Sequence, residues 1–196
     1  MGLDFGYAEG QTPLDEDEKE GLRITTITTR AELDEFEQQN IEQAILWSLN
    51  RSFKMETVLT ESFIKNLHKR MYNTVWTWAG EFRKTNKNIG IDKWQIPSAL
   101  KTLLDDTVYW HTHKTYSPDE LTLRFKHRLV SIHCFSNGNG RHSRLMADII
   151  IQKVFKLSLY TWGTTSNKAD PRHIYLNAMK EADRGNIQPL IDFARG

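Results

Sequence analysis

From about residue 30 onward, apolar residues recur at the three- and four-residue spacing of helices that bury one face. Thr29 and Glu32 stand in capping-box relation ahead of a run through Leu33, Phe36, Ile41, Ala44 and Ile45. Thr60 opens a second run, with Phe63, Ile64, Leu67 and Met71 on one face, and Pro97-Ser98 a third, with Leu100, Leu103, Leu104 and Val108. Ser117-Pro118-Asp119-Glu120 supplies an N-cap, a first-turn proline and a reciprocal glutamate ahead of Leu121, Phe125, Leu129 and Ile132. Another helix is predicted after Gly140, with Leu145, Met146, Ile149, Ile150 and Phe155 on its stripe. A late one runs from Arg172 to Arg184, stopped by Gly185, and residues 189–195 form a last short one. The helical period fails between Trp78 and Pro97. That stretch, WAGEFRKTNKNIGIDKWQIP, holds Gly80, Gly90 and isoleucines at strand-like spacing, and it predicts a short β-hairpin or extended flap.

Composition narrows what such a chain can be. Its 196 residues favour one domain, and a 39% apolar fraction is enough for a packed core. A single Cys excludes a disulfide framework and a cysteine zinc cluster. No apolar run approaches the roughly 20 residues that span a bilayer, and the acidic N-terminus is no signal peptide. The expectation is a soluble, cytoplasmic protein without a membrane partner. A net charge of +1 argues against a dedicated nucleic-acid binder. The balance hides an asymmetry: Asp4, Glu9, Asp15, Glu16, Asp17, Glu18 and Glu20 face only Lys19 in residues 1–22, leaving the remainder basic. With its glycines and Pro13, residues 1–28 are predicted to be an irregular acidic arm, either a solvated tail or a cover for a basic site. Residues 29–196 are the expected folded domain.

The basic excess concentrates where chemistry is expected. Residues 121–147 carry Arg124, Lys126, Arg128, Arg141, Arg144 and three histidines, with no Asp or Glu. Unopposed positive charge in a neutral protein points to an anionic ligand. Gly138-Asn139-Gly140 joins two predicted helices, and a glycine turn that opens a helix presents N–H groups and a dipole to phosphate. Arg141 and Arg144 lie one turn apart, within reach of one polyphosphate. His133, ending the preceding helix, faces that cradle and is suited to take a proton from a hydroxyl. Taken alone, the turn also reads as an ordinary connection and the histidine as a cap. His111, His113, His127 and Asp148 lack the spacing of a zinc hydrolase, adjacency does not make Cys134 and His133 a thiol dyad, and His142 is expected to face solvent.

The same residues resemble the Fic family motif, His-x-Phe-x-(Asp/Glu)-Gly-Asn-Gly-Arg-x-x-Arg. His133, Phe135, Gly138, Asn139, Gly140, Arg141 and Arg144 match it in register. Trp78-Ala79-Gly80 with Phe82-Arg83 resembles the segment ahead of that family's flap, and Leu176 through Asp192 resembles its closing helices. GQTPLDEDE, NKNIGIDKWQIP and NGNGRHSRLMAD together are similar to the branch called mobile mystery protein B.

The resemblance implies an all-α fold with a short β-hairpin flap. It implies a protein adenylyltransferase that moves AMP from ATP to a Ser, Thr or Tyr hydroxyl of a target protein. A Doc-like kinase and a catalytically weak nucleotide-binding module are the alternatives. By that resemblance His133 is the base, Phe135 anchors the loop, and Gly138, Asn139 and Gly140 cradle phosphates. Arg141 pairs with the β-phosphate and Arg144 with the γ-phosphate. Lys87, Asn88, Ile89, Gly90 and Ile91 hold the target chain by strand addition, and Tyr175 or Asp183 lies at the adenine. The resemblance also implies Mg²⁺ as cofactor with Asn137 as its candidate ligand, a neutral oxygen where the family has an acidic residue, and Cys134 replaces the usual proline. The inhibitory pattern Ser/Thr-x-x-x-Glu-Gly/Asn has no match: before Glu9-Gly10 and Glu20-Gly21 stand Phe5 and Glu16. Inhibition is then expected either from a separate antitoxin partner, which the resemblance to a toxin–antitoxin pair on a mobile element favours, or from the acidic arm itself.

Overall fold

The caps legible in the sequence close the helices they precede. The computed structural model describes residues 13–164 and 170–196. The part of the expected arm at residues 1–12 lies outside them. Nine α-helices are described: α1 (Glu16–Lys19), α2 (Arg30–Leu49), α3 (Met55–Val58), α4 (Glu61–Tyr72), α5 (Ile96–Thr112), α6 (Pro118–Ile132), α7 (Asn139–Ile149), α8 (Pro171–Asp183) and α9 (Gln188–Arg195). Thr29 accepts from the Glu32 N–H while the Glu32 carboxylate accepts from the Thr29 N–H, so α2 begins in a complete capping box. Thr60 caps α4 through Phe63 N–H, and Ser117 caps α6 through Glu120 N–H. A π-helical turn, Ile150–Val154, extends α7.

Helices α6 and α7 lie between two apolar clusters. On one side Phe125, Leu129, Leu145 and Met146 pack with Leu33, Ile64, Leu67, Met71 and Leu100. On the other, Leu123, Ala147 and Ile151 pack with Ala178, Ala182 and Leu190 of α8 and α9. The ends of α6 and α7 that meet at residues 133–139 are thereby held rigidly from both sides.

The structure departs from the expectations at five places, one of them Val108, which was expected on the buried stripe of α5 and is 41% exposed. The flap carries no strand, and an isolated bridge between Leu22 and Trp76 is the β feature seen among the described residues. The cause is Arg83, which is 3% exposed and whose guanidinium takes the carbonyls of Thr85 and Ile91 that a hairpin ladder would use. The described part of the arm is no solvated tail: Leu14 and Ile27 are buried, the Trp78 indole N–H donates to Glu18 O at 3.0 Å, and Asp15 and Glu18 pair with Lys87. Apolar staples at both ends and a buried cation explain why so acidic a segment takes one pose. Phe36 is half-exposed, and the buried face of α2 instead carries Glu37 and Asn40 beside Leu33, Ile41 and Ala44. His142 faces inward, fully covered, with its Nε2 at 3.0 Å from Ile64 O.

Candidate active site

A cavity of about 660 Å³ opens where α6 ends and α7 begins. It is lined by His133, Asn137, Gly138, Asn139, Gly140, Arg141 and Arg144, with Ile89 of the flap and Tyr175 and Asp183 of α8 on its other walls. The cavity thus brings together the predicted residues of 133–144 with Ile89, Tyr175 and Asp183, whereas Lys87, Asn88, Gly90 and Ile91 of the expected flap do not line it.

The connection between the helices is built around Asn139. Its Oδ1 accepts from Phe135 N–H at 2.9 Å and its Nδ2 donates to Phe135 O at 2.7 Å, so one buried amide satisfies both backbone polar groups of Phe135. Phe135 points into the core and stacks on His68 with ring centroids 3.7 Å apart. His68 in turn reaches Asn137 O with Nε2 and accepts from Gly80 N–H with Nδ1. Burial holds the His68 pKa well below its usual value, so the ring is a neutral bridge between the loop and the base of the flap. Gly138 has φ +77, and a Cβ there would stand 2.5 Å from the Tyr72 ring. The helix then starts at Asn139, which leaves first-turn N–H groups without intrahelical partners along the cavity wall.

His133 ends α6 in the left-handed region, φ 58 and ψ 61, and is 6% exposed. Burial first, then the positive charges of Arg83 and Lys87, pull its pKa down to about 4. Near neutral pH the imidazole is uncharged and able to accept a proton.

The two arginines meet different surroundings. Arg141 pairs with Glu37 at 2.6 Å and lies over the Tyr72 ring. Glu37 also accepts from the Trp76 indole at 2.7 Å and is 1% exposed. Arg144 sits between the rings of Tyr175 and Trp162, at 4.5 and 5.6 Å from their centroids. No carboxylate among the described residues forms an ion pair with it. Glu37 is the functional residue that the sequence reasoning missed. Its signal was present: it stands four residues after Leu33 and four before Ile41, and a carboxylate on a buried stripe requires a cation. Trp162 was missed as well, while Lys126 was read only as part of the basic stretch and Asp148 only in a rejected zinc set. The fully buried Lys126 amine donates to the Tyr175 hydroxyl, and Asp148 holds the Trp162 indole through both oxygens at 3.1 Å.

Three candidates need qualification. The Asn137 side-chain oxygen accepts from the Gly138 N–H at 2.6 Å, so it is turned into the loop. The Lys87 side chain is 3% exposed, caged by Asp15 and Glu18, and offers the flap's outer edge no free ammonium. Asp183 does reach the cavity, yet its Oδ1 is held at 2.8 Å by His127. No described helix is long and apolar enough to cross a membrane, and no group of three or more His, Cys, Asp or Glu side chains suited to a metal ion occurs among the described residues.

Comparison with known proteins gives a consistent picture. A family model described as Fic/DOC family matches residues 58–151. The protein adenylyltransferase Fic of Aedes aegypti is 27% identical over 139 residues, covering 69% of this chain and 27% of that protein. That of Drosophila grimshawi is 26% identical over 149 residues, covering 74% and 30%. The chain thus spans less than a third of the length of these curated relatives. Among solved structures, BepC of Bartonella tribocorum with bound AMPPNP superposes with a TM-score of 0.66 at 18% identity, covering 91% of this chain and 96% of that one. Fic-1 of C. elegans gives 0.66 at 21% identity, covering 90% and 51%. These likenesses show that the helical fold is shared.

Proposed function

The chain belongs to the Fic/DOC family, and from that premise we propose that it is a protein adenylyltransferase. The observation that carries this reading is the convergence, in one cavity, of a neutral buried imidazole, a glycine-opened helix start and two arginines. In the proposed reaction the target hydroxyl oxygen attacks the α-phosphorus of ATP. The bond from that phosphorus to the β-bridging oxygen breaks, pyrophosphate leaves, and the hydroxyl proton passes to His133. Arg141, held by Glu37, and Arg144, held between two rings, meet the charge on the outer phosphates with little loss of side-chain freedom. A polyphosphate in the cradle brings negative charge beside the imidazole and raises its pKa from about 4 toward the working pH. Tyr175 and Asp183 are the proposed base-side wall.

The relatives' printed names support the activity, and the target is proposed to be a protein bearing a Ser, Thr or Tyr hydroxyl. An inhibitor acting from a separate chain, as in a toxin–antitoxin pair, is part of the proposal. It is supported by the aromatic rather than acidic surroundings of Arg144 and by the docking of the described arm acids Asp15 and Glu18 on Lys87 rather than on the motif arginines.

Mg²⁺ does not fit position 137 well, because the oxygen there is neutral and already hydrogen-bonded to Gly138 N–H. Asn137→Asp adds a full charge, and by Coulomb attraction it is expected to lower the Mg²⁺ concentration for half-maximal transfer on the order of tenfold. An unchanged Mg²⁺ titration would place residue 137 away from the metal.

The deciding experiment supplies host lysate with ATP labelled at the α or the γ position. Label from α alone supports AMP transfer. Label from γ alone replaces it with a Doc-like kinase, and label from neither, with ATP bound, leaves a nucleotide-binding module.

A further inference from the structure

Arg83 is a buried cation with no carboxylate within ion-pair distance among the described residues, and its bonding is concentrated on two neighbouring stretches. Its backbone N–H donates to Cys134 O at 2.9 Å, and its Nε donates to His133 O at 2.7 Å. Its Nη1 donates to Thr85 O at 2.8 Å and reaches Asn86 Oδ1 at 3.5 Å, while Nη2 donates to Ile91 O. One rigid guanidinium fork therefore spans both ends of the flap and the backbone of the residue that bears the imidazole. His133 needs such support, because a left-handed non-glycine residue persists only where its surroundings over-determine it. Gly90 completes the contact: a Cβ there would stand 2.5 Å from His133 Cβ and 3.1 Å from Arg83 Nη2.

We propose that Arg83 is a positioning residue for AMP transfer, locking His133 and the flap to each other so that the base and the seat of the target chain move as one body. This rests on the adenylyltransferase reading for its kinetic consequence, but not for its structural one. The charged groups around the imidazole are Arg83 and Lys87, the latter paired with Asp15 and Glu18, with Arg141 and Arg144 of α7 lining the same cavity. Arg83 thus acts on His133 by geometry and by charge, and two substitutions separate these. Arg83→Gln removes the charge and most donors. Arg83→Lys keeps the charge but lacks the planar fork.

The test uses the full chain with labelled histidine, the His133 resonance being assigned by its loss in His133→Ala. Titration by NMR, hydrogen exchange of the amides at 85–91, and transfer kinetics against pH are then compared. Arg83→Gln is expected to raise the His133 midpoint by about half a unit or more, through loss of a nearby like charge. Arg83→Lys is expected to leave that midpoint close to wild type. Both are expected to speed flap exchange by roughly tenfold, as local opening becomes easier. Both should also lower kcat on the order of tenfold with KM for ATP little changed, as loss of positioning does. The proposal is overturned if Arg83→Gln leaves the His133 midpoint and flap exchange as in wild type, or if the kinetic loss lies in ATP KM alone. Should Arg83→Gln fail to fold, Arg83→Lys decides: faster flap exchange with a retained midpoint supports the lock, and unchanged exchange overturns it. If wild type transfers no AMP, the function reading fails while the NMR and exchange measurements still decide the role of Arg83.

Discussion

His133→Ala is expected to reduce AMP transfer by about 10²–10⁴-fold, the range that a positioned general base contributes. The imidazole lies on the cavity wall, is uncharged near neutral pH and stands across from the helix start that would hold the phosphates. The backbone at that residue is left-handed, where alanine is itself disfavoured. His133→Asn is therefore the companion variant, since asparagine tolerates that conformation and cannot serve as a base. Both should bind ATP within a few-fold of wild type and melt as single transitions. A variant that retains more than about a tenth of the wild-type rate, well above the loss expected for a missing base, removes His133 from that role.

Gly138→Ala is expected to carry the largest stability cost of any single methyl added to the cradle. Its Cβ would meet Tyr72 Cζ and the hydroxyl oxygen at 2.5 Å, and Tyr72 is fully buried and cannot swing aside. Left-handed strain of roughly 1–3 kcal/mol and overpacking of similar size together predict a loss of about 2–6 kcal/mol. Gly140→Ala is the internal control, because nothing lies within 4 Å of the added methyl. Its stability should stay within about 0.5 kcal/mol of wild type. Denaturant unfolding of the two variants side by side measures the contrast. Equal losses would mean that Tyr72 yields.

What could be read in the sequence was what depends on near neighbours. Thr29 with Glu32, Thr60 with Phe63, and Ser117 with Glu120 sit three residues apart and set the starts of α2, α4 and α6 by local bonding alone. The motif residues of 133–144 were legible for the same reason, since a turn between two helices brings them together without help from the rest of the chain. What escaped was set by contacts across the sequence. The Glu37 bond to Trp76 spans 39 residues, and Glu37 also meets Arg141. His142 was misassigned to solvent because the apolar stripe of α7 is read from Leu145 and Met146, whereas the α4 carbonyl of Ile64 that draws the imidazole inward is 78 residues away. The flap was given strands because its isoleucines alternate. A single guanidinium from Arg83 satisfies the carbonyls that alternation would have paired.

The cage around Lys87 also bears on the order in which this protein comes into being. Helices α2, α4 and α6 carry their own caps, so their starts are set without a distant partner. The flap has no such independence. Its outer side waits on Asp15 and Glu18, made 72 and 69 residues before Lys87, and its inner side waits on the His133 carbonyl, made 50 residues after Arg83. Closing loops of that size comes late, once the helices have already paid most of the ordering entropy. The nascent chain therefore carries an unseated flap until the residue bearing the imidazole has left the ribosome, and the surface proposed to receive a target is completed together with the group proposed to act on it.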